Sequence, residues 1–293
     1  MKDVKTIARN ISLIENRSNG YETLLLRAGI VITTAAVIGI TGAPGAGKST
    51  LIDKLIEHII AQQKTVAVLC IDPSSPFNMG AVLGDRVRMS RWYLNDAVYI
   101  RSLASRKALG GLSPMIIEIT DYLKTEAFDF IIVETVGVGQ SEVDIAGLAD
   151  ATIVTLVPEG GDEIQTMKSG LMEIADIFVL NKYDRPGADK MLQYLHAMLT
   201  PANHETAAIP VVKTIAEEGK GIDELYKAIG DVLQSAISAG KKSWLLAEKA
   251  WQLIQEKRMK DMDKKVLAES IQQSLATGNF NLYRFVQELA VKQ

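Results

Sequence analysis

The period of apolar positions changes twice along this chain. Up to about residue 30, Ile7, Ile11, Leu13 and Ile14 form a stripe at helical spacing, and Asn19-Gly20 breaks it before a second short helix. From residue 35 to about 229, short Val- and Ile-rich runs alternate with amphipathic segments of helical length. The runs cover 35–41, 65–72, 97–101, 128–134, 151–158, 177–181 and 209–214. Runs that are apolar throughout, rather than at every second position, fit strands covered on both faces. The spacing therefore predicts βα units around a mostly parallel central sheet flanked by helices, an α/β fold.

Beyond about Ala239 there is neither a strand-like run nor a proline. Trp244, Leu245, Ala247, Trp251, Leu253 and Ile254 recur at helical spacing, and further helices are expected over 266–275 and 282–290. The organisation read from the chain is N-terminal helices over 1–30, an α/β domain over 31–238 and a helical C-terminal extension over 239–293. That extension is either a cap on the sheet or an oligomer interface. Its tryptophans and methionines favour the interface.

The first strand runs into Gly42-Ala43-Pro44-Gly45-Ala46-Gly47-Lys48-Ser49-Thr50, and an amphipathic helix begins there. A strand, a G-x-x-x-x-G-K-[ST] loop and a helix in that order form a phosphate cradle, which predicts a P-loop NTPase. Glycines let successive backbone N–H groups converge on phosphate oxygens, and the helix N-terminus adds partial positive charge. Lys48 is expected to reach the β- and γ-phosphates, and the Ser49 hydroxyl to ligate Mg²⁺.

Asn181-Lys182-Tyr183-Asp184 follows the run at 177–181, at the strand end where ligands of such sheets bind. A carboxylate there can accept from both N1–H and N2–H₂ of guanine, a pair that adenine lacks, so Asp184 points to GTP and GDP. Lys182 can lie along the base, and Asn181 can tie this loop to the phosphate loop. The segment Lys213-Thr214-Ile215-Ala216 could add a backbone contact to guanine O6.

Three acids close strands or sit in glycine-containing loops: Asp72, Asp85 in Leu83-Gly84-Asp85-Arg86, and Glu134 in Glu134-Thr135-Val136-Gly137. Mg²⁺ takes one or two carboxylates beside phosphate oxygens and water, so all three are candidate ligands with Ser49. Glu134-x-x-Gly137 has the layout of a D-x-x-G switch with glutamate substituted, in which the Gly137 N–H would meet the γ-phosphate. For orienting the attacking water, Gln140 and Asp85 are both candidates. Arg86 or Arg88 could supply transition-state charge.

Bulk properties narrow the partners. Hydrophobic residues make up 47% of the 293-residue chain and charged residues 23%, with a net charge of -3, so nothing points to a nucleic acid. No uncharged stretch reaches membrane-spanning length. A single cysteine, Cys70, lies within an apolar run and fits a small core residue in a reducing compartment, so a cytoplasmic protein is expected. His58, His196 and His204 are scattered and read as structural.

These residues together resemble a known family. The phosphate loop, Asp72-Pro73-Ser74-Ser75, Gly84-Asp85-Arg86-Val87-Arg88-Met89, Glu134-Thr135-Val136-Gly137-Val138-Gly139-Gln140-Ser141-Glu142, Gly161-Asp162-Glu163-Ile164-Gln165 and Asn181-Lys182-Tyr183-Asp184 are similar to those of the MeaB/ArgK family. Its members are methylmalonyl-CoA mutase-associated G-protein chaperones, also described as LAO/AO transport system kinases. The resemblance covers nearly the whole chain. It implies a GTPase with Asp72, Asp85 and Glu134 as the Mg²⁺-region carboxylates, and with nucleotide-responsive switches around Asp85, Gly137 and 162–168. It also implies a homodimer held largely by the C-terminal helices. The implied partner is an adenosylcobalamin-dependent acyl-CoA mutase, whose cofactor loading is gated by GTP hydrolysis. Pro158-Glu159-Gly160-Gly161, Tyr183 and Thr214-Ile215-Ala216 depart from the family pattern. Two other readings share the motifs: a metal-insertion GTPase, which would carry Cys/His clusters, and a nucleotide-dependent kinase linked to amino-acid transport.

Overall fold

A computed structural model describes residues 3–28, 35–72, 89–104, 115–135, 141–159, 171–199 and 209–235. In the C-terminal part it describes 247, 250–251, 253–255, 257–259, 264–276 and 280–290. Two compact units result, Met1–Lys242 and Ser243–Gln293.

In the larger unit, α1 (Val4–Glu15) starts at Asp3, whose carboxylate accepts the Thr6 N–H at 3.1 Å and so satisfies one of the orphan donors of the first turn. Ile7, Ile11 and Ile14 are buried along one face, while Leu13 is half-buried. Together with α2 (Tyr21–Ala28), α1 packs on α4 (Ile116–Thr125). The Asn10 amide donates to the Tyr122 hydroxyl at 3.0 Å across that contact.

The sheet has 7 strands in the order β3-β2-β4-β1-β5-β6-β7, and every pairing is parallel. The strands are β1 (Ala36–Thr41), β2 (Val66–Asp72), β3 (Val98–Ala104), β4 (Phe130–Glu134), β5 (Ala151–Leu156), β6 (Ile177–Leu180) and β7 (Val211–Lys213). Each corresponds to one apolar run of the sequence. Only β3 extends well beyond its run, because Arg101 and Ser102 hide its second half. The Arg101 guanidinium is drawn off to Glu15 of α1 at 2.9 Å while its backbone stays in the ladder opposite Leu69.

One face of the sheet is covered by α3 (Lys48–Ala61) and α8 (Ile222–Gln234). Ile38, Ile40, Val68, Cys70, Ile132 and Ile153 meet Leu51, Leu55, Ile59, Leu225 and Ile229 there. Cys70 is thus a core residue. On the opposite face Val154, Leu156, Phe178 and Leu180 meet Met191 and Leu195 of α7 (Ala188–Leu199) and Ile174 of α6 (Leu171–Ile174), while α5 (Ser141–Leu148) lies on β1 and β5. Burial on both faces is the reason the strands read as unbroken apolar runs. Because the ladder is all parallel, the segments that leave β1, β4, β6 and β7 emerge at one edge.

The smaller unit contains α9 (Lys264–Ala276) and α10 (Leu282–Ala290), with Phe280 tilted against Phe285 at 5.7 Å between ring centroids. Within this chain, Trp251, Val266, Leu275, Leu282, Tyr283 and Val286 are exposed.

Candidate nucleotide site

Glycine is required at both ends of the loop after β1. Gly42 has φ +138°, and a Cβ there would run into the Thr155 carbonyl of β5. Gly47, the residue before α3, has φ +89°, and a Cβ there would run into the Asn181 side-chain amide. The loop can therefore be seated against its neighbours only without side chains at these two positions. Lys48 turns back over it: its ammonium donates to the carbonyls of Gly42 at 2.6 Å and Ala43 at 3.0 Å, and only 6% of the residue is exposed. The curvature of the loop and the location of its positive charge are thus fixed by the same contacts.

Ser49 and Glu134 approach from opposite sides. Ser49 occupies the first turn of α3, Glu134 ends β4, and the hydroxyl donates to Glu134 Oε1 at 2.8 Å with both residues buried. Ladder register explains the meeting: Glu134 lies beside Ile40 of β1 and Cys70 of β2, on the face that α3 covers. Asp72, two residues beyond Cys70 on β2, is 1% exposed and belongs to the same face by alternation. Thr135 adds a buried contact that sequence patterning does not reveal, its hydroxyl donating to Thr41 Oγ1 at 2.8 Å and joining β4 to β1.

The loop after β6 is hung on Asn181. Its amide donates to the Ala46 carbonyl at 2.9 Å, while its Oδ1 accepts from the Thr214 hydroxyl at 3.0 Å and the Ala216 N–H at 3.1 Å. One buried side chain thereby joins the phosphate loop, the β6 loop and the segment after β7. Of the segment 213–216, expected to add a backbone contact to guanine O6, the Ala216 N–H is used inside the scaffold. Lys182, at φ +55°, donates to the Gly45 carbonyl at 2.8 Å. Tyr183 leaves the cleft side altogether: its hydroxyl donates to Asp189 at 2.5 Å and Lys213 lies over its ring. Arg185 reaches Glu159, just beyond β5, at 2.7 Å, and the guanidinium holds that carboxyl below the usual carboxylate range.

The result is a cleft of about 520 Å³, an ordinary size for a cofactor. Pro44, Gly45, Gly47, Lys48, Ser49 and Thr50 line one end with Glu134 and Thr135, and Lys182, Asp184, Arg185 and Ala216 line the other. Arg185, Glu217 and Glu218 are lining residues that no motif marks. Gly42, Ala43, Ala46 and Thr214 support the walls from behind. Asp85, Gly137 and Gln140 lie outside the described residues, as do Arg86, Arg88 and 160–170. Ser49 and Glu134 offer the hard oxygen donors that suit Mg²⁺, and with substrate phosphates a magnesium ion needs only one or two protein carboxylates. His58 sits far along α3, paired with Asp223 at 2.9 Å and tilted against Tyr226.

A parallel sheet whose first loop presents a buried lysine at a helix N-terminus, facing a second loop that carries Asp184 across the cleft, defines a P-loop nucleotide-binding protein. Within that class the chain belongs to the family of the methylmalonyl Co-A mutase-associated GTPase MeaB, whose sequence profile matches residues 7–271. The GTPase ArgK of Escherichia coli is 33% identical over 297 residues, covering 98% of this chain and 87% of that one. A relative from Pyrococcus horikoshii is 41% identical over 278 residues, covering 94% and 86%. A fused isobutyryl-CoA mutase of Geobacillus kaustophilus is 32% identical over 262 residues, which are 83% of this chain and 24% of that protein. Among solved structures, an LAO/AO transport system kinase has the same fold, with a TM-score of 0.68 at 24% identity over 98% of this chain and 92% of the other. HypB of Helicobacter pylori in complex with nickel has a TM-score of 0.50 at 18% identity, covering 78% and 95%. At these identities the likeness is one of fold.

Proposed function

We propose that this GTPase binds GTP with Mg²⁺ and hydrolyses it to gate adenosylcobalamin loading and protection of an acyl-CoA mutase. The observation that carries the chemical part is the single cleft joining Lys48, the Ser49–Glu134 pair and the Asn181–Asp184 loop. In this reading the triphosphate lies along residues 42–50, with the Lys48 ammonium at the β- and γ-phosphates. Ser49 and Glu134 hold Mg²⁺ with Asp72 and Asp85 close by. The ion, when bound, neutralises charge that develops on the phosphate oxygens. Water attacks in line; its oxygen bonds to the γ-phosphorus as the bond to the GDP oxygen breaks, yielding GDP and inorganic phosphate. Lys48 and the loop amides stabilise the transferring group by electrostatics already in place. Gln140 or Asp85 orients the water, and Gly137 reports the γ-phosphate to the segment that follows it.

The partner is supported by the name of the family and by the fused mutase, in which a GTPase-like stretch shares a chain with a mutase. The C-terminal helices, with Trp251, Tyr283 and Leu282 exposed in the single chain, suit a homodimer interface. No helix among the described residues is long and apolar enough to cross a membrane, and the setting proposed is the cytoplasm.

Calorimetry with GTP, GDP and ATP in magnesium tests the nucleotide assignment. Guanine nucleotides should bind at least ~10³-fold tighter than ATP, and equal affinities would overturn it. Co-elution with a purified acyl-CoA mutase, and GTP-dependent transfer of cobalamin to it, test the partner. Light scattering at the dimer mass tests the C-terminal interface.

A further inference from the structure

Asp184 stands in a tight turn: the Arg185 N–H donates to the Lys182 carbonyl at 3.0 Å, which leaves Tyr183 and Asp184 as the central pair. Lys182, where the turn begins, has φ +55°, a left-handed conformation that a residue with a Cβ keeps only where its surroundings hold it. Lys182 and Asp184 line the cleft, whereas Tyr183 between them packs on the core cluster that includes Phe178, Leu180 and Met191. Backbone, hydroxyl and ring of Tyr183 are each tied down. Its N–H donates to the Thr214 carbonyl at 3.1 Å, and its hydroxyl donates to Asp189 in the first turn of α7 at 2.5 Å. The Lys213 ammonium of β7 lies 4.8 Å from its ring centroid. Asp184, in contrast, is exposed, and no described residue donates a hydrogen bond to its carboxylate. The place of that carboxylate is therefore set by the turn, and Tyr183 holds the turn.

We infer that Tyr183, with Asp189 and Lys213 as its partners, is a positioning residue for guanine recognition: it anchors the turn from the core side, so that Asp184 meets the edge of the base already in place. This rests on the assignment of Asp184 to guanine above. Tyr183 itself faces away from the cleft and touches no nucleotide. Its contribution is the ordering of the loop, which binding would otherwise have to supply. An anchor of this kind acts through Asp184 alone. Removing it weakens guanine nucleotides and leaves the chemistry at the phosphate end as it was.

The test is a double-mutant cycle on the full chain. GDP affinity is measured by calorimetry in magnesium for Tyr183→Ala, Tyr183→Phe and Asp184→Ala, and for each Tyr183 variant combined with Asp184→Ala. Thermal unfolding and single-turnover hydrolysis at saturating GTP are followed alongside. Tyr183→Ala should weaken GDP about five- to tenfold with hydrolysis within about twofold. Tyr183→Phe, which keeps the ring and loses the Asp189 bond, should cost about two- to threefold. Asp184→Ala should weaken GDP about 10²-fold. Added to Asp184→Ala, either Tyr183 variant should change GDP affinity by less than about 1.5-fold, because no carboxylate is left to position. Equal losses with and without Asp184 would overturn the inference, since the ring would then act on the loop as a whole. Wild-type affinity in Tyr183→Ala, beside a weakened Asp184→Ala, overturns it as well. Should Tyr183→Ala fail to fold, the Tyr183→Phe arm of the cycle decides in the same way. If Asp184→Ala binds GDP as the wild type does, the guanine assignment itself fails and takes the anchor with it.

Discussion

The two ends of the nucleotide cleft are built differently. At the phosphate end, Lys48, Ser49 and Glu134 are buried, and their positions follow from the ladder register of β1 and β4 and from the first turn of α3. At the base end, Asp184 and Arg185 are exposed, and the loop that carries them is anchored through Asn181. Chemistry needs charge placed in a water-poor site that does not reorganise, whereas selectivity needs only one carboxylate at the right edge of the base. In the function proposed above, rate and specificity are therefore separable properties of this cleft, joined where Asn181 meets Ala46.

The sharpest way to break this comparison is Lys48→Ala. It should lower GTP hydrolysis by at least ~10²-fold, read by phosphate release, while the guanine-over-adenine preference of residual binding persists. Loss of that preference would mean the two ends are one unit. Next comes Asp184→Asn, whose amide donates where the aspartate accepts. GTP binding should weaken about 10²-fold and xanthosine triphosphate, which carries an oxygen at position 2, should become the better ligand. Melting temperature should hardly move, since Asp184 is exposed.

Asn181→Ala should affect both ends. It leaves the Ala46 carbonyl, the Thr214 hydroxyl and the Ala216 N–H in need of new partners, at a cost of about 2 kcal/mol in stability. Chemical denaturation would show the loss, and GDP affinity would fall with it. The smallest effect is expected from Glu159→Gln. Arg185 holds the Glu159 carboxyl below its usual range, so the pair's contribution is present at neutral pH and lost as pH falls through that depressed value. Both side chains are about half exposed, so GDP affinity should change less than about threefold, and less still in high salt.

Much of this was legible beforehand, for reasons particular to each feature. The strands could be read because both faces of the sheet are covered, which leaves no polar alternation to mislead. The second half of β3 could not, because Arg101 satisfies its charge on α1, a partner 86 residues away in the chain. The phosphate loop was legible because a backbone that must bend round an anion leaves a record of glycines. Arg185 carries no such record, and the Thr41–Thr135 pair exists only once β1 and β4 are neighbours. Tyr183 is visible in the sequence as a departure from the family pattern, but its Asp189 and Lys213 contacts are not.

The α/β layout, the phosphate loop and the polar loop after β6 were already written in the sequence, because these depend on backbone conformation and on burial, which local residue patterns encode. Only the tertiary structure decided that Ser49 meets Glu134, that Asn181 spans three segments, and that Lys213 lies over Tyr183. Those pairings depend on which strands lie side by side and on the face each side chain takes. No single stretch of the chain contains that information.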